Sequence, residues 1–283
     1  MTLVIAAHEV SVRTMLARPA RERLLGAICI GALLLGSSVA GAQSEPRPVL
    51  AGMWSTTTTA IERPEWTIEE LFAGNYTPDS YAYLRELLRP EHDDMSGTDI
   101  RNAVRAHTDQ AIAALMTDYG REYSQTYDLA NDPAIQCEYF GAFRTVLHND
   151  PILIEQSDER IVIKGEDMSS DRVIYMDGRG HPEGASPTPL GHSIGWYEGS
   201  TLVVETVNVS ANIAEDNLAI HNADNASSIE RYTLSEDGSR LYTQLTVIDP
   251  VMFKEPLVLD NVRLRTPDVK LLDAPCESIS GQR

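Results

Sequence analysis

The chain has 283 residues, with 42 acidic and 23 basic side chains and a net charge of −19 at pH 7. So acidic a surface repels nucleic acid and anionic lipid, which excludes both as charge-driven partners. The length is enough for one large domain with a sizeable core.

In chain order, the first feature is an export signal. Arg18, Arg21 and Arg23 precede an apolar run over residues 24–35, and Ala40-Gly41-Ala42 offers a small-residue cleavage site. The run is shorter than the ~20 residues that span a bilayer. The pattern therefore predicts a cleaved signal over residues 1–42, with the part before Arg18 as an upstream extension. It implies a periplasmic or secreted protein without stable membrane insertion. Residues 1–42 hold four Arg and two Glu, so cleavage leaves 19 basic and 40 acidic side chains and a net charge of −21.

Residues 43–63 read as a lead-in and a first strand, within which Gly52-Met53-Trp54 has the G-x-W form that resembles the start of lipocalin barrels. Residues 64–136 read as a helical insertion. Tyr81, Leu84, Leu87 and Leu88 recur at helical spacing before Pro90, and Ile100, Val104, Ala111, Leu115 and Met116 do so before Gly120. Residues 137–283 read as an antiparallel β domain. Eight segments of mostly period-two character cover residues 151–156, 160–166, 171–178, 192–199, 200–209, 228–235, 240–249 and 256–265. Short turns join most of them, so the expected fold is mainly β: an antiparallel meander with a helical insertion. Closing it into a calycin-like barrel would hide its edges, with a sandwich as the alternative.

The cysteines outside the signal are Cys137 and Cys276. In an exported chain an even count suggests one disulfide, with two buried thiols or a catalytic cysteine as alternatives. Closing so long a loop would stabilise by ~4–5 kcal/mol on the chain-entropy argument.

Several separated runs share a pattern. They are Asp177-Gly178-Arg179-Gly180-His181-Pro182, then Pro187-Thr188, then Gly191-His192-Ser193-Ile194-Gly195-Trp196-Tyr197-Glu198-Gly199-Ser200-Thr201-Leu202-Val203-Val204-Glu205-Thr206, with Glu230-Arg231 and Cys276-Glu277 further on. Together they resemble a family of exported bacterial β-rich proteins carrying D-G-R-x-H-P, P-T and G-H-S-I-G-x-W-E-G-D-T-L-V-V-E-T. The likeness covers roughly residues 137–276. It departs at Cys137, which precedes Glu138-Tyr139 instead of a Pro-Pro-Gly turn, and at Tyr197, inserted between Trp196 and Glu198. The resemblance implies export and a β-rich fold and marks these residues, without bringing an activity.

The chain lacks G-x-S-x-G, H-E-x-x-H, a Gly-rich phosphate loop and paired C-x-x-C, so it carries no sequence signature of a cofactor or a structural metal. What remains is a set of ionisable residues inside strands. His192, Ile194 and Trp196 share one face, and Thr201, Val203 and Glu205 share one face of the next strand. Valines flank Glu205, which points to an apolar lumen and a cationic partner, Arg231 or Arg263. The candidate catalytic set is therefore His192, Glu205 and Arg231, with imidazole suited to proton transfer near neutral pH. Trp196, Tyr175, Arg179, His181, His221 and Arg263 are candidate ligand contacts. Trp54, Tyr232 and Tyr242 join Trp196 and Tyr175 as possible lining. Each has a plainer role: strand entry for His192, a turn pair for Asp177 and Arg179, a structural ion pair for Glu205 and Arg231, exposure for His221. Three readings follow: a barrel with a pocket for a small, largely apolar molecule, an acid–base enzyme using that pocket, or a structural envelope protein with a filled barrel.

Overall fold

The computed structural model describes residues 47–56, 67–128, 130, 132–138, 140–165, 171–215 and 219–272. The expected signal segment and Cys276 lie outside the described residues. In chain order the elements are β1 (Gly52–Ser55), the helices α1 (Ile68–Leu71), α2 (Pro78–Leu87), α3 (Gly97–Leu115), α4 (Asp118–Ser124) and α5 (Ala142–Leu147), then β2 (Ile152–Gln156), β3 (Arg160–Gly165) and β4 (Arg172–Tyr175). There follow β5 (His192–Glu198), β6 (Thr201–Val209), β7 (Asn212–Glu215), β8 (Ile220–Asn222), β9 (Ala226–Leu234), β10 (Arg240–Ile248) and β11 (Leu257–Arg265).

Nine strands form a closed barrel in the order β1-β11-β10-β9-β6-β5-β4-β3-β2, while β7 and β8 make a separate hairpin. Closure removes both sheet edges, as the edge argument requires. The seam joins the first barrel strand to the last: Trp54 of β1 stands opposite Arg265 of β11, and Gly52–Trp54 pair with Ile152–Ile154 of β2.

Registers show what fills the barrel. Ser193, Gly195 and Tyr197 of β5 lie opposite Thr206, Val204 and Leu202 of β6, which in turn face Ser228, Glu230 and Tyr232 of β9. This parity points inward. Trp54, Ile154, Ile161, Ile174, Leu202, Val204 and Leu241 pack into one apolar cluster inside it. At the other end all six residues of α5 are buried, and Phe143, Val146 and Leu147 pack with Leu245, Val247, Leu257 and Leu259. The helix closes that end. The interior is thus occupied by side chains, contrary to the hollow lumen expected from the strand pattern.

In the middle of the lumen sits a buried ion pair. Arg172 Nη1 and Nη2 donate to Glu230 at 2.8 and 2.7 Å, with Arg172 and Glu230 side chains 1% and 0% exposed. Arg172 also reaches Ser193 Oγ and Thr206 Oγ1, and Glu230 accepts from Ser228 Oγ and Tyr232 Oη. Such a pair repays its desolvation only when the remaining donors and acceptors are satisfied, and here they are.

One joint departs from the expected meander. β4 and β5 run parallel, with Ile174 opposite Ser193 and Tyr175 opposite Ile194. Parallel neighbours require the chain to travel back along the barrel before re-entering the sheet. Residues 176–191 make that return.

The insertion folds as helices. Thr77 caps α2 ahead of Pro78, and Ser96 with Asp99 forms a capping box on α3. Tyr81, Leu84, Leu87, Ile100 and Val104 give α2 and α3 a small core of their own. The helical layer is fastened to β11 by two backbone hydrogen bonds between Tyr76 and Asp260. No helix among the described residues is long and apolar enough to cross a membrane.

Candidate functional site on the outer wall

Because Ser193 and Thr206 point inward to Arg172, their neighbours must point out. His192 and Glu205 therefore stand on the outer wall. The expectation of a lumenal pair is corrected on this point, although the two residues do meet in one cluster. The valines flanking Glu205 were what misled. Inside the barrel Gly195 leaves no gap, since a Cβ there would lie 2.7 Å from Met176 Sδ and 2.9 Å from Ile174. Val203 is only 1% exposed although it faces outward, between Trp196 and Arg231 on the adjacent strands.

The returning segment 176–191 completes the cluster. It lays His181 over the wall, where His181 Nδ1 lies 2.8 Å from His192 Nδ1 and the two rings meet edge-on at 5.0 Å. On its other side His181 Nε2 lies 3.4 Å from Glu205 Oε2, close enough for charge pairing but not aligned as a hydrogen bond. The His181 side chain is 18% exposed and that of Glu205 40%. Tyr175 stacks on His192 at 5.3 Å, and the Arg179 guanidinium lies 3.8 Å from the centre of the Tyr175 ring. Asp177 anchors Arg179, accepting from Nε at 2.9 and 3.0 Å and from Nη2 at 2.5 Å. That turn pair holds the Asp177 carboxyl at about 2. Partial burial, His181 and the positive Arg179 all hold His192 below the usual imidazole range, in that order.

Three sequence runs separated along the chain thus converge. Their alternating residues divide between the two faces. Ser193, Thr206 and Glu230 go to the buried network, while Asp177, Arg179, His181, His192 and Glu205 go to the wall.

The other candidates are elsewhere. Arg231 pairs with Glu198 at 2.7 Å and not with Glu205. Glu198 also accepts from Trp196 Nε1 at 3.2 Å, so the β5–β6 turn captures both residues. Arg263 is buried in the barrel, where it donates to the Val146 and His148 carbonyls at 3.0 and 2.6 Å, at the C-terminal end of α5. A cation suits the negative end of a helix, so Arg263 has a structural task. Burial brings its pKa down to about 10. His221 belongs to β8 instead of a loop at the barrel mouth. It is 8% exposed and meets Tyr123 and Tyr127 edge-on at 5.0 and 5.8 Å. Trp54 and Tyr232 are lumenal whereas Trp196, Tyr175 and Tyr242 face outward, so the five aromatic residues line no common cavity. Among the described residues no three His, Cys, Asp or Glu side chains are placed to hold a metal ion.

A second feature shares the outer wall, one that the sequence did not reveal. A groove of about 530 Å³ runs between α1–α2 and the outer face of β9–β11, lined by Tyr81, Arg85, Arg231, Tyr242, Gln244 and Val262 among others. Its cations are engaged: Arg85 with Glu69 at 3.1 Å, Arg240 with Glu70, and Arg231 with Glu198. Tyr242 lines it and is 48% exposed. The groove was illegible because it depends on where the insertion docks.

No family model matches the chain, and no curated protein matches it.

Proposed function

We propose that this is an exported barrel protein that binds a small amphipathic molecule on its outer wall, in the groove between α1–α2 and β9–β11. The observation that carries this reading is the groove itself. Its volume of about 530 Å³ falls within the ~300–1,000 Å³ usual for small-molecule sites. Side chains that fill the described lumen favour a site on the wall. With each guanidinium already held by a carboxylate, the groove favours a neutral molecule whose planar or apolar part lies on Tyr242 and Val262.

The neutral fluorophore N-phenyl-1-naphthylamine tests this directly. Its fluorescence should rise on binding, and Tyr242→Ala should weaken binding about 3–10-fold, the ~0.5–1.5 kcal/mol of one aromatic contact. Binding that is indifferent to Tyr242→Ala would place the ligand elsewhere.

Export and a Cys137–Cys276 bridge belong to the same proposal, supported by the signal pattern and the even cysteine count. The intact mass of protein recovered from outside the cytoplasm should lack residues 1–42 and be two hydrogens lighter than the reduced chain. A full-length or fully reduced mass would overturn the corresponding part.

A further inference from the structure

Beyond the groove, the wall cluster has the makings of a proton-transfer site, and its protonation pattern follows from geometry. Glu205, as a carboxylate, is negative and can only accept, so at 3.4 Å its charge favours the hydrogen on the facing His181 Nε2 even without an aligned hydrogen bond. A neutral His181 then has its lone pair on Nδ1. At 2.8 Å the two Nδ1 atoms share one hydrogen, which must come from His192. A neutral His192 is left with its lone pair on Nε2, an atom that makes no hydrogen bond among the described residues.

We infer that His192 Nε2 is a general base, oriented through His181 by Glu205, that takes a weakly acidic proton from a small planar molecule lying against the wall beside Tyr175. When His192 takes the proton, its Nδ1 hydrogen can pass to His181, whose positive charge Glu205 then faces. The negative charge left on the molecule meets Arg179, whose Nη1 is not engaged by Asp177. The charged and titratable groups around His192 are Tyr175 from β4, Asp177, Arg179 and His181 from the returning segment, and Glu205 from β6. Partial burial first, then His181 and Arg179, disfavours a positive charge on His192, which keeps the base free near neutral pH. The inference does not depend on the groove.

Long-range proton–nitrogen NMR correlation on protein with labelled histidine reads the tautomers without any substrate. At neutral pH His192 should show a protonated Nδ1 and an unprotonated Nε2, the less common form of free imidazole. Glu205→Gln should release this preference while leaving the fold intact. A His192 protonated on Nε2, or a tautomer unchanged by Glu205→Gln, would overturn the relay.

The planar probe 5-nitrobenzisoxazole tests the base. The base removes the ring C–H proton, the N–O bond breaks, a nitrile forms and the phenolate oxygen leaves with the electron pair. The rate should fall at least tenfold in His192→Gln, and its pH profile should shift in Glu205→Gln. An undiminished rate in His192→Gln would overturn the assignment of the base. Tyr242→Ala should leave both readouts unchanged, which separates failure here from failure of the groove reading.

Discussion

Replacing Glu230 with glutamine is expected to cost about 3–5 kcal/mol of folding free energy. The substitution keeps the shape but leaves the Arg172 guanidinium charged, 1% exposed and without a carboxylate in the centre of the barrel. It also turns one of the two acceptor oxygens into an amide NH2, so either the Ser228 or the Tyr232 hydroxyl loses its acceptor. Removing one partner of a buried pair is far more damaging than removing both, because an isolated buried charge cannot recover its hydration. The double variant Arg172→Met, Glu230→Leu should therefore be less destabilised than Glu230→Gln alone, despite the orphaned Tyr232 hydroxyl. Urea unfolding followed by circular dichroism measures both. A loss below about 1 kcal/mol for Glu230→Gln would mean that the pair is far better hydrated than its burial indicates.

Gly191→Ala is the second change with a large expected effect. Gly191 has φ +60°, and a Cβ there would stand 2.5 Å from the Val207 carbonyl oxygen. That oxygen cannot retreat freely, because Val207 is paired with His192 in the β5–β6 register. The left-handed conformation alone costs a side-chain-bearing residue ~1–2 kcal/mol, and the clash adds to it, for a total of at least about 2 kcal/mol. Gly178→Ala is the natural control, since Gly178 has φ +78° but nothing within 4 Å of the added carbon. It should show the conformational cost alone. Gly191→Ala should also displace the start of β5 and so disturb the His181–His192 contact, which Gly178→Ala should not. Equal losses in the two variants would show that the Val207 contact carries no weight.

The period-two segments located most barrel strands to within a residue or two because each alternates burial against the same lumen, although β4 ends at Tyr175, three residues short of the expected 178; Pro90 marked the stop just beyond α2. What the residues could not convey was which parity faced inward. In β5 both faces hold one aromatic residue, Trp196 on one and Tyr197 on the other, so composition did not decide. The decision lay with Arg172 and Glu230, two charges at inward positions that only a three-dimensional partner makes tolerable. Likewise His181, His192 and Glu205 could be singled out by residue type, but their meeting depends on the parallel β4–β5 joint, which no turn signal announces. The β7–β8 hairpin and α5 were missed because both are short and owe their order to tertiary packing rather than to local preference.

The seam between β1 and β11 imposes an order on how the molecule comes into being. Its last barrel strand is the neighbour of its first, so no partial chain emerging from the ribosome can complete the wall. Until residue 265 is free, β1 has one flank unpartnered and β10 stands as a bare edge. Closure over so great a separation in sequence is entropically slow. The nascent form is thus an open sheet with adhesive borders. A chaperone that shields strand edges would raise the yield of this protein more than one that shields helices.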